Sequence, residues 1–486
     1  MKQFNSRRSS SPAVVAALLG VLILLTFASV SVPELQAQQT KTPDAKQYSQ
    51  MLQSIYAFIL QNYVDEPDPA LIYQGAIKGM LDALGDPYST FLDEDMMSDL
   101  MTETEGTYGG VGLYISKQRT AESPDAPRYI EVVSPIEDTP AWKEGIKPGD
   151  LIIKIDGEDT APLSTDKASA KIRGTPGTKV TLTFRRGSYE FEVTFTRSRI
   201  EIPAIKSAII ETAEGRTGYL RIIEWIPQTA QKVKAALTDM QARGVQRYIV
   251  DVRSNPGGLL SSVIDVSDLF IDKGVIVSTR GRVKNENTEY KAKSSTAIPV
   301  GNRVIVLINQ GSASASEIFA GAMKDSRRAL LLGEKTYGKG SVQQIFPLDK
   351  VGFKLTMARY YTPSGVNIDK TGIMPDIEVK ELTLNDTQLA SLQKLYESGE
   401  ITRFLQRNPN PDKATREAFA NTLAEQWKLP AIFISKIIRD EAMRTEQARI
   451  YDLEFDTQLL EAIRILHGET FDTMLQNAKT LADRQG

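Results

Sequence analysis

The stretch Asn309-Gln-Gly-Ser-Ala-Ser-Ala-Ser-Glu317 sets three hydroxyls on alternate residues just before an apolar segment, Ile318–Met323. Small residues let a backbone bend sharply and let a ligand approach closely. A helix beginning here would aim free N–H groups and partial positive charge at a developing oxyanion. A serine in this place suits acyl transfer. The same residues also fit a Ser-x-x-Glu capping box, in which Ser314 is only the N-cap and Glu317 its partner. A second stretch, Lys335-Thr-Tyr-Gly-Lys-Gly-Ser-Val-Gln343, places Lys339 between two glycines. Lysine is a base only when neutral, and burial among small residues lowers its pKa from about 10.4 toward that condition. A solvated loop lysine would account for the same residues. A third stretch, Asn255-Pro-Gly-Gly258, offers bare backbone N–H groups.

Composition removes the competitors. The chain has no cysteine and a single histidine, His467. Thiol catalysis, disulfides, zinc–thiolate sites, a lipidated N-terminal cysteine and a multi-histidine metal site are excluded. A Ser-His-Asp triad would need His467, whose helical surroundings near the C-terminus predict a structural or surface role. For an exported hydrolase with these loops, a Ser–Lys pairing is what remains. No cofactor and no metal are expected. With 41% hydrophobic residues, 24% charged residues and a net charge of −3, no basic face for nucleic acid is expected either.

The chain of 486 residues predicts two to four domains. Lys2, Arg7 and Arg8 precede an apolar run from Ala13 to Val32, and Leu35-Gln36-Ala37 partly matches a cleavage site. Residues 1–37 therefore read as a signal peptide or, given their length, a membrane anchor. The bulk of the chain is expected to be exported: periplasmic, held at the outer side of a membrane, or secreted. Apolar spacing predicts an amphipathic helix over 48–63 and a second over 71–84, stopped by Gly85-Asp-Pro87. These belong to an N-terminal helical region, 38–104, which ends in an acidic stretch. Short strands with turn signals and two helices follow over 105–197, a small, mostly-β module. From 198 to 383 strands and helices alternate, with glycines at strand ends, and predict a largely parallel sheet whose sites form at the carboxyl ends of its strands. Val304–Ile308 reads as one buried strand of it. Residues 384–486 read as a polar C-terminal helical region.

The module resembles a PDZ domain through its Gly110-Val111-Gly112-Leu113 loop, the stretch from Ser134 to Asp150 and the stretch from Ile172 to Val180. That resemblance implies capture of a free C-terminal carboxylate by loop N–H groups and addition of the tail as a strand. Arg173, at the end of the module's helix, is a candidate link from tail binding to the core, and a plain surface arginine would read the same. The motifs NQGSASASEI, TYGKGSVQ, DVRSNPGG, GDPYSTF and GIMPDIEV together resemble the carboxyl-terminal processing, or tail-specific, proteases of the S41 serine peptidases. The resemblance spans about Tyr48 to Val379. It implies a crotonase/Clp-protease-like α/β core with an inserted PDZ domain and helical regions at both ends. It implies Ser314 as nucleophile, Lys339, 25 positions on (339 − 314), as base and Gln343 orienting the lysine. It further implies an oxyanion hole from the N–H of Ala315 and of Gly257 or Gly258. Ser316 then becomes the better N-cap and Ser312 a turn residue.

The expected partners are proteins with a free C-terminus. Association with a membrane would run through the N-terminal segment. The N- and C-terminal helices are candidate homodimer contacts, although packing within one chain explains them equally. Two other readings compete. A non-catalytic exported peptide-binding scaffold would be favoured by a changed Ser314 or Lys339, and both are present. A crotonase-like acyl-CoA enzyme follows from fold alone and conflicts with export.

Overall fold

Runs of β-branched and leucine residues bounded by turns have no polar side to show to water, so they become strands covered on both faces. That constraint builds the centre of this protein. The computed structural model describes residues 45–484, apart from 95, 98–99, 101–105, 118–127, 137, 285–286, 294 and 444–448. The expected signal or anchor segment, most of the linker after it and part of the acidic stretch before Gly106 lie outside the described residues. No helix among the described residues is long and apolar enough to cross a membrane.

The chain divides into two units, residues 1–79 and 80–486. In the first, α1 (Ala45–Asn62) has no buried residue, and α2 (Pro69–Asp82), whose last three residues belong to the second unit, begins one short loop later. The Tyr56 hydroxyl donates to the Pro69 carbonyl at 3.1 Å and ties the two together. Tyr48, Leu52, Ile55 and Phe58 stand exposed along α1.

The second unit opens with β1 (Thr90–Leu92) and then the mostly-β module. Its elements are β2 (Thr107–Gly110), β3 (Leu113–Lys117), β4 (Ile130–Pro135), α3 (Pro140–Lys143), β5 (Leu151–Ile155), β6 (Glu158–Asp159), α4 (Thr165–Ile172), β7 (Lys179–Arg186), β8 (Tyr189–Thr196) and β9 (Ser198–Glu201). Strands β3-β4-β5-β7-β8 form an antiparallel sheet in that order. Its core holds Ile130, Val132, Ile152, Leu182 and Phe184, all fully buried. Strand β2 leaves this sheet and pairs with β9, so the chain enters and leaves the module side by side.

The α/β core follows: β10 (Ile205–Thr212), β11 (Gly215–Ile222), α5 (Thr229–Ala242), β12 (Arg247–Asp251), α6 (Leu260–Asp268), β13 (Val275–Gly281), β14 (Thr288–Lys291), β15 (Arg303–Ile308), α7 (Ala315–Asp325), β16 (Leu330–Gly333), β17 (Ser341–Leu348), β18 (Val351–Tyr361) and β19 (Ile377–Glu378). The central sheet runs β10-β11-β12-β15-β16-β19, parallel except where β10 meets β11. The largely parallel sheet expected from the sequence is the one found. A second, antiparallel sheet runs β1-β18-β13-β14, with β17 also paired to β18.

Helices α5, α6 and α7 cover one face of the central sheet through Val233, Leu237, Val263, Val266 and Phe319. The other face is covered from the far end of the chain. After α8 (Asp386–Ser398), α9 (Glu400–Arg407), α10 (Lys413–Trp427) and α11 (Ala431–Ala442), which pack on one another, come α12 (Thr457–His467) and α13 (Phe471–Asn477). Leu459, Ile463, Leu466 and Phe471 pack against Tyr219, Ile249, Ile305 and Leu332 of the sheet. Residues 457–477, grouped by sequence with the C-terminal helices, thus supply the third layer of the core.

A buried charge network docks that layer. Arg253, just after β12, pairs with Asp251 at 2.7 Å and with Asp456, the N-cap of α12, at 2.6 Å. Its guanidinium also donates to Gln458 at 2.9 Å, and the Tyr219 hydroxyl donates to Asp251 at 2.6 Å. Burial opposes the Asp251 charge, but Arg253 outweighs it and holds the carboxyl below its ordinary pKa. Removing one partner of such a pair strands the other, at a cost of about 3–5 kcal/mol. Arg253→Ala is therefore expected to lower the melting temperature by several degrees at pH 7, read by circular dichroism. Asp251 contributes stability above the carboxylate range of unfolded chains, about pH 3.9, which is lost as pH falls through its lower folded value, so the gap between wild type and variant should narrow in acid. A melting temperature within about 2 °C of wild type at pH 7 would contradict the network's role.

Candidate active site

Strand β15 ends at Ile308, and Asn309 to Ser314 turn the chain into α7. The turn is pinned from inside. The Ser312 hydroxyl donates to the Val252 carbonyl at 2.8 Å and accepts from the Asn309 N–H at 3.0 Å, the turn role expected of it. Ser314 occupies the N-cap of α7 with φ 52° and ψ −111°. A non-glycine residue in this region is strained by about 1–3 kcal/mol and must be held there by its surroundings. Gly257, at φ 110°, lies so near that a Cβ on it would meet Ser314 Cβ at 2.8 Å. Only glycine fits there. Ser316 is not the N-cap that the sequence suggested. It sits within the first turn, fully buried, where its hydroxyl donates to the Asn255 carbonyl at 3.0 Å and accepts from Trp225 Nε1 at 2.9 Å. The capping-box spacing belongs to Ser314, and the helix begins there because Glu317 reaches back to the Ser314 N–H.

Glu317 is the residue whose role the sequence did not reveal beyond a capping partner. Its side chain is fully buried. Its carboxylate accepts from the Ser314 N–H at 3.0 Å, the Thr336 hydroxyl at 2.5 Å, the Gly338 N–H at 2.8 Å and the Lys339 N–H at 2.9 Å. Burial pushes its pKa up, while these four donors favour the charged form. One carboxylate thereby joins the serine turn to the lysine loop. Tyr360 makes a second link: its buried hydroxyl donates toward the Ser314 carbonyl at 3.2 Å and toward the Lys339 carbonyl.

Lys339 is half-buried. Burial first, and then the charge of Lys354, lower its pKa from the ordinary lysine value, partly offset by Asp86 and Glu317. Its Nζ lies 4.9 Å from the ring centroid of Tyr88, which comes from the GDPYSTF motif beside β1. Among the described residues no hydrogen bond joins Lys339 Nζ to Ser314 Oγ. Gln343 lies on β17, and its amide donates to Ser341 Oγ at 2.9 Å and Thr356 Oγ1 at 3.3 Å. The Gly257 N–H is taken by Asn255 Oδ1 at 2.9 Å, whereas no described residue accepts from the N–H of Gly258 or of Ala315. His467 ends α12, with its Nε2 2.8 Å from the Thr217 hydroxyl. Thr217 lies near the start of β11, and the serine turn at the finish of the parallel β15, so the histidine belongs to the opposite end of the sheet. No described group of His, Cys, Asp and Glu could hold a metal ion.

In the module, Gly110 ends β2, Val111 and Gly112 form the loop and Leu113 starts β3. The loop carbonyls are occupied by Ile136, Thr139 and Ala141, while no described residue accepts from the N–H of Val111 or Gly112. A groove between β3 and α4 is lined by Leu113, Ile115, Ser169, Ile172 and Arg173. The Arg173 guanidinium sits 4.9 Å over the Tyr108 ring of β2, and burial pushes the Tyr108 pKa up to about 12.

Three known families match this chain: peptidase family S41 over residues 216–379, a PDZ domain over 131–186 and the activating protease CtpB N-terminal domain over 19–96. The carboxy-terminal-processing protease of Bartonella bacilliformis is 37% identical over 416 residues, covering 81% of this chain and 93% of the relative. The carboxy-terminal processing protease CtpA of Bacillus subtilis is 33% identical over 389 residues, covering 80% of each. Among solved structures, the photosystem II D1 C-terminal processing protease is 28% identical, covering 68% of this chain and 92% of its own, with a TM-score of 0.41.

The bridging role of Glu317 is testable. Glu317→Gln keeps the size but sets an NH2 group against one of the N–H donors. A shift of about 1 Å in a reacting group costs on the order of 10²-fold in rate. The variant should lose about that much kcat, with KM little changed and the far-ultraviolet circular dichroism preserved. Wild-type kcat in a folded variant would show that Glu317 positions nothing.

Proposed function

Because this chain belongs to the carboxy-terminal-processing proteases of peptidase family S41, we propose that it is an exported serine endopeptidase working through a Ser314–Lys339 dyad on proteins whose C-terminal tail the PDZ domain reads. The observation that carries this reading is the buried Glu317 carboxylate, which holds a strained serine at a helix N-terminus and a half-buried, pKa-lowered lysine on one anchor. Ser314 Oγ attacks the peptide carbonyl carbon and passes its proton to neutral Lys339 Nζ. The oxyanion takes the N–H groups of Ala315 and Gly258, the pair left without acceptors. As the C–N bond breaks, the lysine ammonium protonates the leaving amine and becomes neutral again. It then takes a proton from the water that attacks the acyl-enzyme ester and, as the C–Oγ bond breaks, returns that proton to Ser314 Oγ. This cycle requires Lys339 Nζ to leave the Tyr88 ring for Ser314. A ring face attracts the ammonium and not the free amine, so deprotonation itself loosens that hold. Gln343 lies four residues beyond the base on β17; its amide donates to Ser341 and Thr356, and its amide oxygen is the atom that would orient the lysine.

Cleavage of an unstructured protein tests the dyad. Ser314→Ala and Lys339→Arg should both be inactive, the latter because arginine stays protonated, while His467→Ala should keep near-normal activity. An active Lys339→Arg, or an inactive but folded His467→Ala, would overturn the assignment. The base works when neutral, so activity should climb as pH rises through the Lys339 pKa. Lys354→Gln removes a neighbouring positive charge, and should move that limb to higher pH. An unmoved limb would mean that another group titrates.

For the PDZ domain, the free N–H groups of Val111 and Gly112 suit a carboxylate bound by charge-assisted hydrogen bonds, with the tail added beside β3. Arg173, at the rim and stacked on β2, joins this groove to the connecting strand. A peptide amidated at its C-terminus should be cleaved much more slowly than its free-acid twin, mainly through a higher KM. Equal rates would remove tail reading from the proposal. Export is supported by the apolar run from 13 to 32, which would leave the chain periplasmic, secreted or anchored to a membrane, and the exposed apolar stripe of α1 is the candidate homodimer contact. Cell fractionation that found the enzyme in the cytosol would overturn export.

A further inference from the structure

Strand β18 carries Arg359 directly opposite Arg280 of β13. Like charges at opposed positions repel and weaken a sheet. Neither arginine has a carboxylate partner among the described residues, and both are exposed. Arg280 instead lies with its guanidinium 4.4 Å over the Tyr361 ring. Arg282 joins these residues around an open groove that runs past Thr356 and Met357.

The register fixes which face this is. Directly opposed residues share a face of a sheet. Arg359 faces Ser341 on its other neighbour, β17. The Ser341 hydroxyl accepts the Gln343 amide, and Thr356, opposite Gln343, accepts it too. The bulge between Val342 and Gln343, which skips Met357, keeps Thr356 and Arg359 on one side. Arg280 and Arg359 therefore stand on the face that carries Gln343, on the hairpin that begins two residues after Lys339. The same hairpin supplies Tyr360, which touches the Ser314 and Lys339 carbonyls.

We propose that Arg280, Arg282 and Arg359 form a subsite that selects polypeptides with acidic side chains flanking the bond to be cut. The subsite rests on the proteolytic reading above and adds to it a preference in substrate charge. A substrate carboxylate placed between Arg280 and Arg359 relieves their mutual repulsion, which gives the protein a reason to keep an otherwise unfavourable pair. The guanidinium forks match carboxylate oxygens two by two. The site is exposed, so its contribution is modest and is screened by salt.

Two peptides with one cleavage sequence and one free C-terminus provide the test, differing only in flanking Asp and Glu against Asn and Gln. Wild type should favour the acidic peptide by about three- to tenfold in kcat/KM at low salt, through KM, with the ratio shrinking as salt rises. Arg280→Gln with Arg359→Gln should bring the ratio to about one. Arg280→Glu with Arg359→Glu should turn the preference toward a lysine-flanked peptide. A wild-type ratio near one, or a ratio unchanged in both double variants, overturns the subsite while leaving the protease intact. If wild type cuts neither peptide, nor any unstructured protein that Ser314→Ala spares, the proteolytic reading itself has failed, and this subsite with it. Co-sedimentation with vesicles containing anionic phospholipid separates the remaining source of negative charge. Vesicle binding lost in the double glutamine variant, with no peptide preference in wild type, would make this a membrane surface and overturn the proposal.

Discussion

A buried carboxylate must be surrounded by donors, and the whole arrangement of the site follows from how Glu317 meets that demand. An ionised carboxylate offers about four acceptor positions, and here four donors from two chain segments fill them. It ties the serine turn to the lysine loop, a link that Tyr360 and the Tyr337 N–H on the Ser312 carbonyl also make. The Ser314 turn belongs to the central sheet, Gly338 and Lys339 to the loop after β16, and Thr336 holds the Ile373 N–H in addition. The strained backbone of Ser314 is sustained by the same carboxylate, because releasing the strain would leave an acceptor of Glu317 empty in a dry site.

The layer behind the sheet has an equivalent logic. Parallel strands need cover on both faces, and residues between β10 and β19 supply cover for only one. The second cover arrives from residues 457–477, and an exposed apolar surface alone would not choose where along the sheet it settles. The Arg253 network chooses, since Asp456 caps α12 and pairs with the residue that leaves β12. Packing supplies the stability and the charges supply the register.

Much of the fold was legible in the chain, for local reasons. The apolar run at Val304–Ile308, the glycine and serine turn after it and the alternation of strands with helices all state their period within a few residues. The reading of Ser312 as a turn residue also held. What failed or stayed hidden was non-local. Ser316 was expected as the N-cap once Ser314 was taken as nucleophile, but its hydroxyl serves Trp225 and Asn255, residues about sixty to ninety positions away. Glu317 was visible only as a cap partner, because its other donors lie about twenty residues downstream. Helix α12 shows an apolar stripe in sequence, and a stripe does not name the surface it will cover. The PDZ motifs were visible as local patterns, whereas the opposed arginines of β13 and β18 needed the strand pairing to become neighbours.

The pairing of β2 with β9 means that the PDZ domain joins the rest of the unit through a single ribbon, its two ends one strand spacing, about 5 Å, apart. To the catalytic core such an insertion is indistinguishable from a hairpin. The core's own strands keep their order and register whatever hangs from the ribbon's tip. Recognition and chemistry are thus separable inheritances in this protein. A lineage could exchange the reading head, or lose it to a short turn, without disturbing the serine turn, and new targets could be acquired without rebuilding the machinery that cuts them.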